Sequence, residues 1–374
     1  MSISPEDVEQ HQHVTPPSSF TNQPLTPPLT DKTPFTTALR VIALFRQIQA
    51  GRDTKQRPWT VFQLAPGEYD EIESTLQQDD ELSRFVDAKI RYDYDGYKCR
   101  LVVRMPTHVH ERFTDKVEDA IRSQLKEIRN GSGRMAHFAQ KVEPAGSSTI
   151  HFAPSALSSK SKYEPDAEFF HDDAEYPGVI IEVSYAQKRK HLPRLAENYL
   201  LDSDASVRAV VGLDIEYGKK GSRKATLSIW RPRLFVTTDG SELRVMEEPA
   251  DEAFRDDQGN PVDHPGIRLH LSDFAYEELV QDELGDDDME INISGAQLCE
   301  YLTAAERRVQ RVQSLGKHTI AREVKKRKRS ETPPEEIRSG DEAWYIEQEK
   351  EHSERTADQD SDYKDTSSTE SLSE

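Results

Sequence analysis

The sequence predicts an α/β domain, a mixed central sheet flanked by helices, between disordered termini. Three observations carry this. Apolar residues recur at helical spacing in some segments and alternate or run together in others. These segments follow one another as helix, strand, hairpin, helix, strand, the order expected of a mixed sheet covered by helices. Turn-forming pairs such as Asp95-Gly96 and Asn130-Gly131 punctuate the pattern, which stops towards both ends of the chain.

Residues 1–34 are rich in Pro, Thr, Ser and Gln and hold too little apolar surface to offset the entropy of ordering, so they are expected to be disordered. From Phe35, the spacing of Ala38, Leu39, Val41, Ile42, Leu44, Phe45 and Ile48 predicts a helix. A short helix over Tyr69 to Leu76 follows the turn at Pro66-Gly67. Strands are predicted at Ala88 to Tyr94 and Tyr97 to Met105, joined at Asp95-Gly96, a strong hairpin signal. Helical spacing returns from Thr107 to Ile128 through Val109, Phe113, Val117, Ala120, Ile121 and Leu125.

The next block is strand-rich: Ser148 to Phe152, Asp166 to Phe170 and Gly178 to Ser184. A helix over Pro193 to Leu201 follows, with proline early, where its missing N–H costs nothing. Further strands are predicted at Val207 to Tyr217, Lys224 to Trp230, Leu234 to Val236, Leu243 to Met246 and Gly266 to Leu271. The expected domain spans residues 35–279. An acidic loop, a polar helix from Gly295 to Val312 and a basic run occupy 280–329, and 330–374 form a disordered acidic tail.

Charge and cysteine content bound the function. The net charge of −20 over 374 residues argues against indiscriminate coating of nucleic acid, which needs clustered Lys and Arg. From Glu331 onward, fifteen acidic residues face four basic ones, so about half of the excess lies in the tail. Cys99 and Cys299 are too few and too far apart for a disulfide framework or a Cys-based zinc site, which fits a reducing compartment. Neither a secretory leader nor an apolar stretch approaching the ~20 residues of a membrane span is visible. A soluble intracellular protein with no membrane association is the expectation.

The chemistry concentrates in two acids, Asp166 and Glu182, sixteen positions apart on strands joined by an acidic turn. Adjacent antiparallel strands can bring such acids onto one face. Two carboxylates, a backbone carbonyl and waters form a suitable oxygen site for Mg²⁺ or Mn²⁺, which polarises a phosphoryl oxygen and supplies a hydroxide. The bland alternative pairs Glu182 with Arg194 or Lys188. Glu168, two residues beyond Asp166 on the same strand face, is a site acid or a supporting partner. His108 and His110 lack the further ligands that a zinc site requires.

Pro165-Asp166 followed by Glu182-Val183 resembles the metal-binding core of the PD-(D/E)XK, or restriction-endonuclease-like, superfamily. The surrounding order of elements, from about Ala88 to Phe274, is similar to a bacterial restriction-endonuclease-like family common in cyanobacteria and to its fungal relatives. The resemblance implies a metal-dependent nuclease that hydrolyses DNA phosphodiester bonds, with Asp166 and Glu182 holding Mg²⁺. Ser184 stands where the family places a lysine. In some branches that lysine lies further along, which makes Lys188 the candidate, with Gln187 assisting by hydrogen bonding. The family often draws an extra acid from the preceding helix, here Glu111. Restriction-type enzymes commonly form a homodimer to cut both strands.

Lys325 to Arg329, five consecutive basic residues, read as a nuclear address or a nucleic-acid patch. The departure at Ser184 keeps a second function open: a catalytically inactive nuclease-fold module, nuclear and DNA-associated, whose disordered ends recruit protein partners. In a third reading the acidic tail mimics nucleic acid and covers a basic patch.

Overall fold

Glu164, Pro165 and Asp166 carry the chain from one sheet into another, and that crossing organises the molecule. The structure, a computed structural model, describes residues 35–52, 59–152, 160–185, 191–216, 221–238 and 240–315. The first expected disordered segment, the basic run and the acidic tail lie outside these residues, as do Gln187 and Lys188.

The described residues open with helix α1 (Thr36–Gln49), strand β1 (Trp59–Gln63), helices α2 (Glu68–Gln78) and α3 (Asp80–Lys89), and strands β2 (Arg91–Asp95) and β3 (Arg100–Arg104). Helix α1 buries Ala38, Val41, Ile42 and Phe45, the face that its sequence spacing marks. Asp79 caps α3 by accepting from the Leu82 amide at 3.1 Å. Helices α4 (His108–Arg129) and α5 (Arg134–Gln140) follow, then strands β4 (Val142–Gly146), β5 (Ile150–Phe152), β6 (Ser161–Tyr163), β7 (Ala167–His171) and β8 (Val179–Tyr185). Helix α6 (Leu192–Asp202) leads to β9 (Ala209–Ile215), β10 (Ala225–Thr237), β11 (Gly240–Glu247), β12 (Glu252–Arg255) and β13 (Ile267–His270). Helix α7 (Glu277–Glu283), β14 (Glu290–Ile293) and α8 (Gly295–Ser314) complete the described fold.

One sheet has the order β1-β3-β2-β6-β5. The larger runs β11-β10-β9-β8-β7-β4, with β12 also on β10, while β13 and β14 form a separate pair. Among the described strands of the larger sheet only β8 and β9 are parallel, and α6 makes the crossover that a parallel pair requires. Strand β8 is buried on both faces. Val179, Ile181 and Val183 join the core under α4 and α8, whereas Ile180 packs with Leu192, Ala196, Tyr199 and Leu200 of α6. Two glycines permit this close stacking. A Cβ on Gly178 would lie 2.1 Å from the Phe274 carbonyl carbon, and one on Gly212 would enter the Trp230 ring.

The α/β expectation holds, with local departures. Asp80–Lys89 is a helix, so the strand expected from Ala88 starts only at Arg91. Strand β10 runs unbroken through Pro232 to Thr237, where two strands were expected, because β11 pairs with it along that length. Leu284, Ile291, Ile293, Leu298 and Leu302 belong to the same core as β8 and α4, so the fold continues beyond residue 279 to the end of α8. Among the described residues no helix is long and apolar enough to cross a membrane.

Candidate functional site

Register brings the two predicted acids together. Strands β7 and β8 pair Ala167 with Ile181 and Glu168 with Ile180, so Asp166, one step further, faces Glu182. Both side chains are about 3% exposed. Asp166 Oδ2 accepts from the Val183 amide at 2.8 Å, which fixes the carboxylate against β8.

The sheet at the other side of the crossing supplies the countercharge. Arg104 at the end of β3 pairs across strands with Arg91 on β2, and both guanidinium groups reach Asp166 at 3.4 Å. Arg104 goes further. Its Nη1 also lies 3.2 Å from Glu182 Oε2, and its Nη2 donates to Asp93 Oδ1 at 3.0 Å and to the Glu164 carbonyl. Tyr199 of α6 donates its hydroxyl to Glu182 Oε1 at 2.8 Å. The ring of His110, in the first turn of α4, places Nε2 2.8 Å from Asp166 Oδ2 and 3.1 Å from the Val183 carbonyl oxygen. Two acceptors face that nitrogen, so it carries the proton.

These contacts set the electrostatics. Burial pushes the Glu182 carboxyl well above its usual range and Asp166 adds to the rise, while Arg104 opposes it. Burial acts to depress the Arg104 guanidinium, but Asp93, Glu182 and Asp166 reverse the effect and hold it charged. Nearby, Lys162 Nζ sits 2.8 Å from Glu164 Oε1 and 3.5 Å from the centre of the Tyr92 ring. The cluster thus balances carboxylates against cations inside the protein, as buried charges require.

The arrangement does not suit a divalent ion. Mg²⁺ needs oxygen ligands at about 2.0–2.1 Å in near-octahedral geometry. Here Arg104 Nη1 stands between Asp166 and Glu182, and each of the four carboxylate oxygens has an N–H or O–H donor. The Val183 carbonyl, the natural third ligand, faces His110. A second group, His171, Asp173 and Glu283, has ligand atoms within 4.8 Å of one another. Lys141 already serves as its cation, with Nζ 2.8 Å from Asp173 and 2.6 Å from Glu283.

The other expected site residues are dispersed. Glu111 is exposed, one position beyond the inward-facing His110, and does not belong to the buried stripe of α4. Glu168 is fully buried, and its Oε1 accepts from the Ser148 amide at 3.0 Å and from the Ser148 hydroxyl. Burial raises its carboxyl to about 7. Ser184 is buried, and its hydroxyl donates to Asp214 Oδ1 at 2.5 Å. Arg194 is exposed, so Glu182 pairs with Arg104 and Tyr199 instead. Lys188 and Gln187 lie outside the described residues.

Arg91, Asp93, Arg104 and Tyr199 were not marked as site residues in the sequence, and His110 was weighed there only as a zinc ligand. His110 had a signal: with Phe113, Val117 and Ile121 it continues the buried stripe of α4. Arg104 had a weaker one, being a charge in phase with Val102 rather than with the core residues Leu101 and Val103. No protein-family model matches the chain, and no curated protein is significantly similar to it.

Proposed function

We propose that this chain is a restriction-endonuclease-like domain that does not hydrolyse DNA, and that it works as a nuclear, nucleic-acid-associated binding module. One observation carries the reading. The Arg104 guanidinium bridges Asp166 and Glu182 at 3.4 and 3.2 Å, the place where a metal ion of a hydrolytic relative would bind. The order β4-β7-β8-β9, with α4 before it and α6 before its parallel strand, supports the family resemblance. The short basic runs at 188–190 and 325–329 support an acidic polymer as the partner.

Incubating the full chain with duplex and single-stranded DNA and with RNA, in Mg²⁺ and in Mn²⁺, tests the proposal. The expected result is no cleavage, no calorimetric signal for either ion, and salt-sensitive binding in fluorescence anisotropy. Metal-dependent cleavage that disappears with Asp166→Ala and Glu182→Ala would overturn it. That outcome would establish the second reading, a nuclease whose Arg104 withdraws when metal and substrate arrive. The convergence of Asp166, Glu182 and the Val183 carbonyl favours this alternative.

A further inference from the structure

Strand β11 is the last strand of the larger sheet, and β10 is its sole partner among the described strands. In its sequence, Gly240-Ser241-Glu242-Leu243-Arg244-Val245-Met246-Glu247, reversal about Leu243 exchanges Glu242 with Arg244, while Ser241 meets Val245 and Gly240 meets Met246. An antiparallel second copy in that register sets Glu242 opposite the partner's Arg244, Arg244 opposite the partner's Glu242, and Leu243 opposite the partner's Leu243. Opposite charges directly across a ladder attract and like charges repel.

The hairpin's own pairing points the same way. Leu234 pairs with Leu243 and Val236 with Ser241, so Leu234, Val236 and Leu243 share one face. Leu234 is 64% exposed and Val236 89%. Across a two-fold axis at Leu243, the row Leu234, Leu243, the partner's Leu243 and the partner's Leu234 becomes continuous over four strands. The opposite face carries a local conflict, because Arg233 pairs directly with Arg244. Glu242 of the same strand, at 2.6 Å from Arg244, offsets it in part. The second copy would bring another carboxylate to Arg244.

We infer that the β11 edge is a homodimer interface, joining two copies antiparallel about Leu243 into one continuous sheet. The contact is isologous, as a two-fold dimer requires, and it closes an edge that would otherwise remain open to irregular pairing.

Charge reversal at the hairpin tests the inference in the full chain by sedimentation velocity, with far-UV circular dichroism confirming that each variant is folded. The parent is expected to be a dimer at micromolar concentration. Glu242→Arg and Arg244→Glu each replace two attractive pairs by two repulsive ones, weakening association roughly tenfold or more. The double variant Glu242→Arg/Arg244→Glu restores opposite charges and should recover the dimer. A monomeric parent, a dimer indifferent to both single changes, or a folded double variant that stays monomeric would overturn the inference.

Discussion

Replacing Arg104 by Met keeps most of the side-chain volume and removes the charge on which three acids converge. Arg104 is about 4% exposed on its side chain, and Asp93, Asp166 and Glu182 are nearly as buried, so water cannot take its place. Removing one partner of a buried ion pair costs about 3–5 kcal/mol. Arg91 remains 3.4 Å from Asp166 and limits the damage, which puts the expected loss near 3 kcal/mol. For a fold of this size that lowers Tm by roughly 6–12 °C. The pH dependence has a definite sign. Glu182 already has a raised pKa, and losing Arg104 raises it further. A carboxyl whose folded pKa exceeds its unfolded value favours the fold at low pH and penalises it as pH rises through that range. The deficit relative to the parent should therefore never shrink as pH rises. Urea denaturation followed by tryptophan fluorescence, with calorimetric Tm at pH 5 and pH 8, reads it out. A loss below about 1 kcal/mol at pH 8, or a deficit that shrinks from pH 5 to pH 8, would refute Arg104 as the charge centre. Arg104→Lys should recover only part, because one ammonium cannot span Asp93 on one side and Asp166 and Glu182 on the other.

Tyr199→Phe leaves Glu182 Oε1 without its 2.8 Å donor, and equilibrium denaturation should show a loss of about 1–3 kcal/mol. Glu168→Gln tests the raised carboxyl: with a folded pKa of about 7, Glu168 penalises the fold above neutrality. The variant should be up to about 3 kcal/mol more stable than the parent at pH 8, with under about 1 kcal/mol of that gain left at pH 5. An unchanged difference across that range would mean that Glu168 ionises normally. Gly178→Ala forces a Cβ to within 2.1 Å of the Phe274 backbone, and chemical denaturation should register a loss of about 3 kcal/mol or more.

Elements whose faces are strongly patterned were legible in the amino-acid sequence alone. α1 and α4 follow from apolar residues at helical spacing, and β8 follows from a run of Val and Ile too apolar for a half-exposed strand. The pairing of Asp166 with Glu182 was legible too, since an acidic turn between two short strands leaves few registers. Less legible were α3, whose Asp80–Lys89 sequence is mostly polar, and α5, only seven residues long. Their helical state depends on neighbouring packing more than on propensity.

What faces the two acids is set by long-range packing. Arg104 lies 62 positions before Asp166 and His110 lies 56 before it, separations at which local pattern carries no information. Their convergence depends on how one sheet crosses into the other through Glu164, Pro165 and Asp166, a matter of long-range strand order. A buried carboxylate must find a countercharge or a donor, and sequence can state that need. Whether a metal ion or an arginine meets it depends on which side chain the fold brings within 3.4 Å of Asp166, and here that side chain is Arg104.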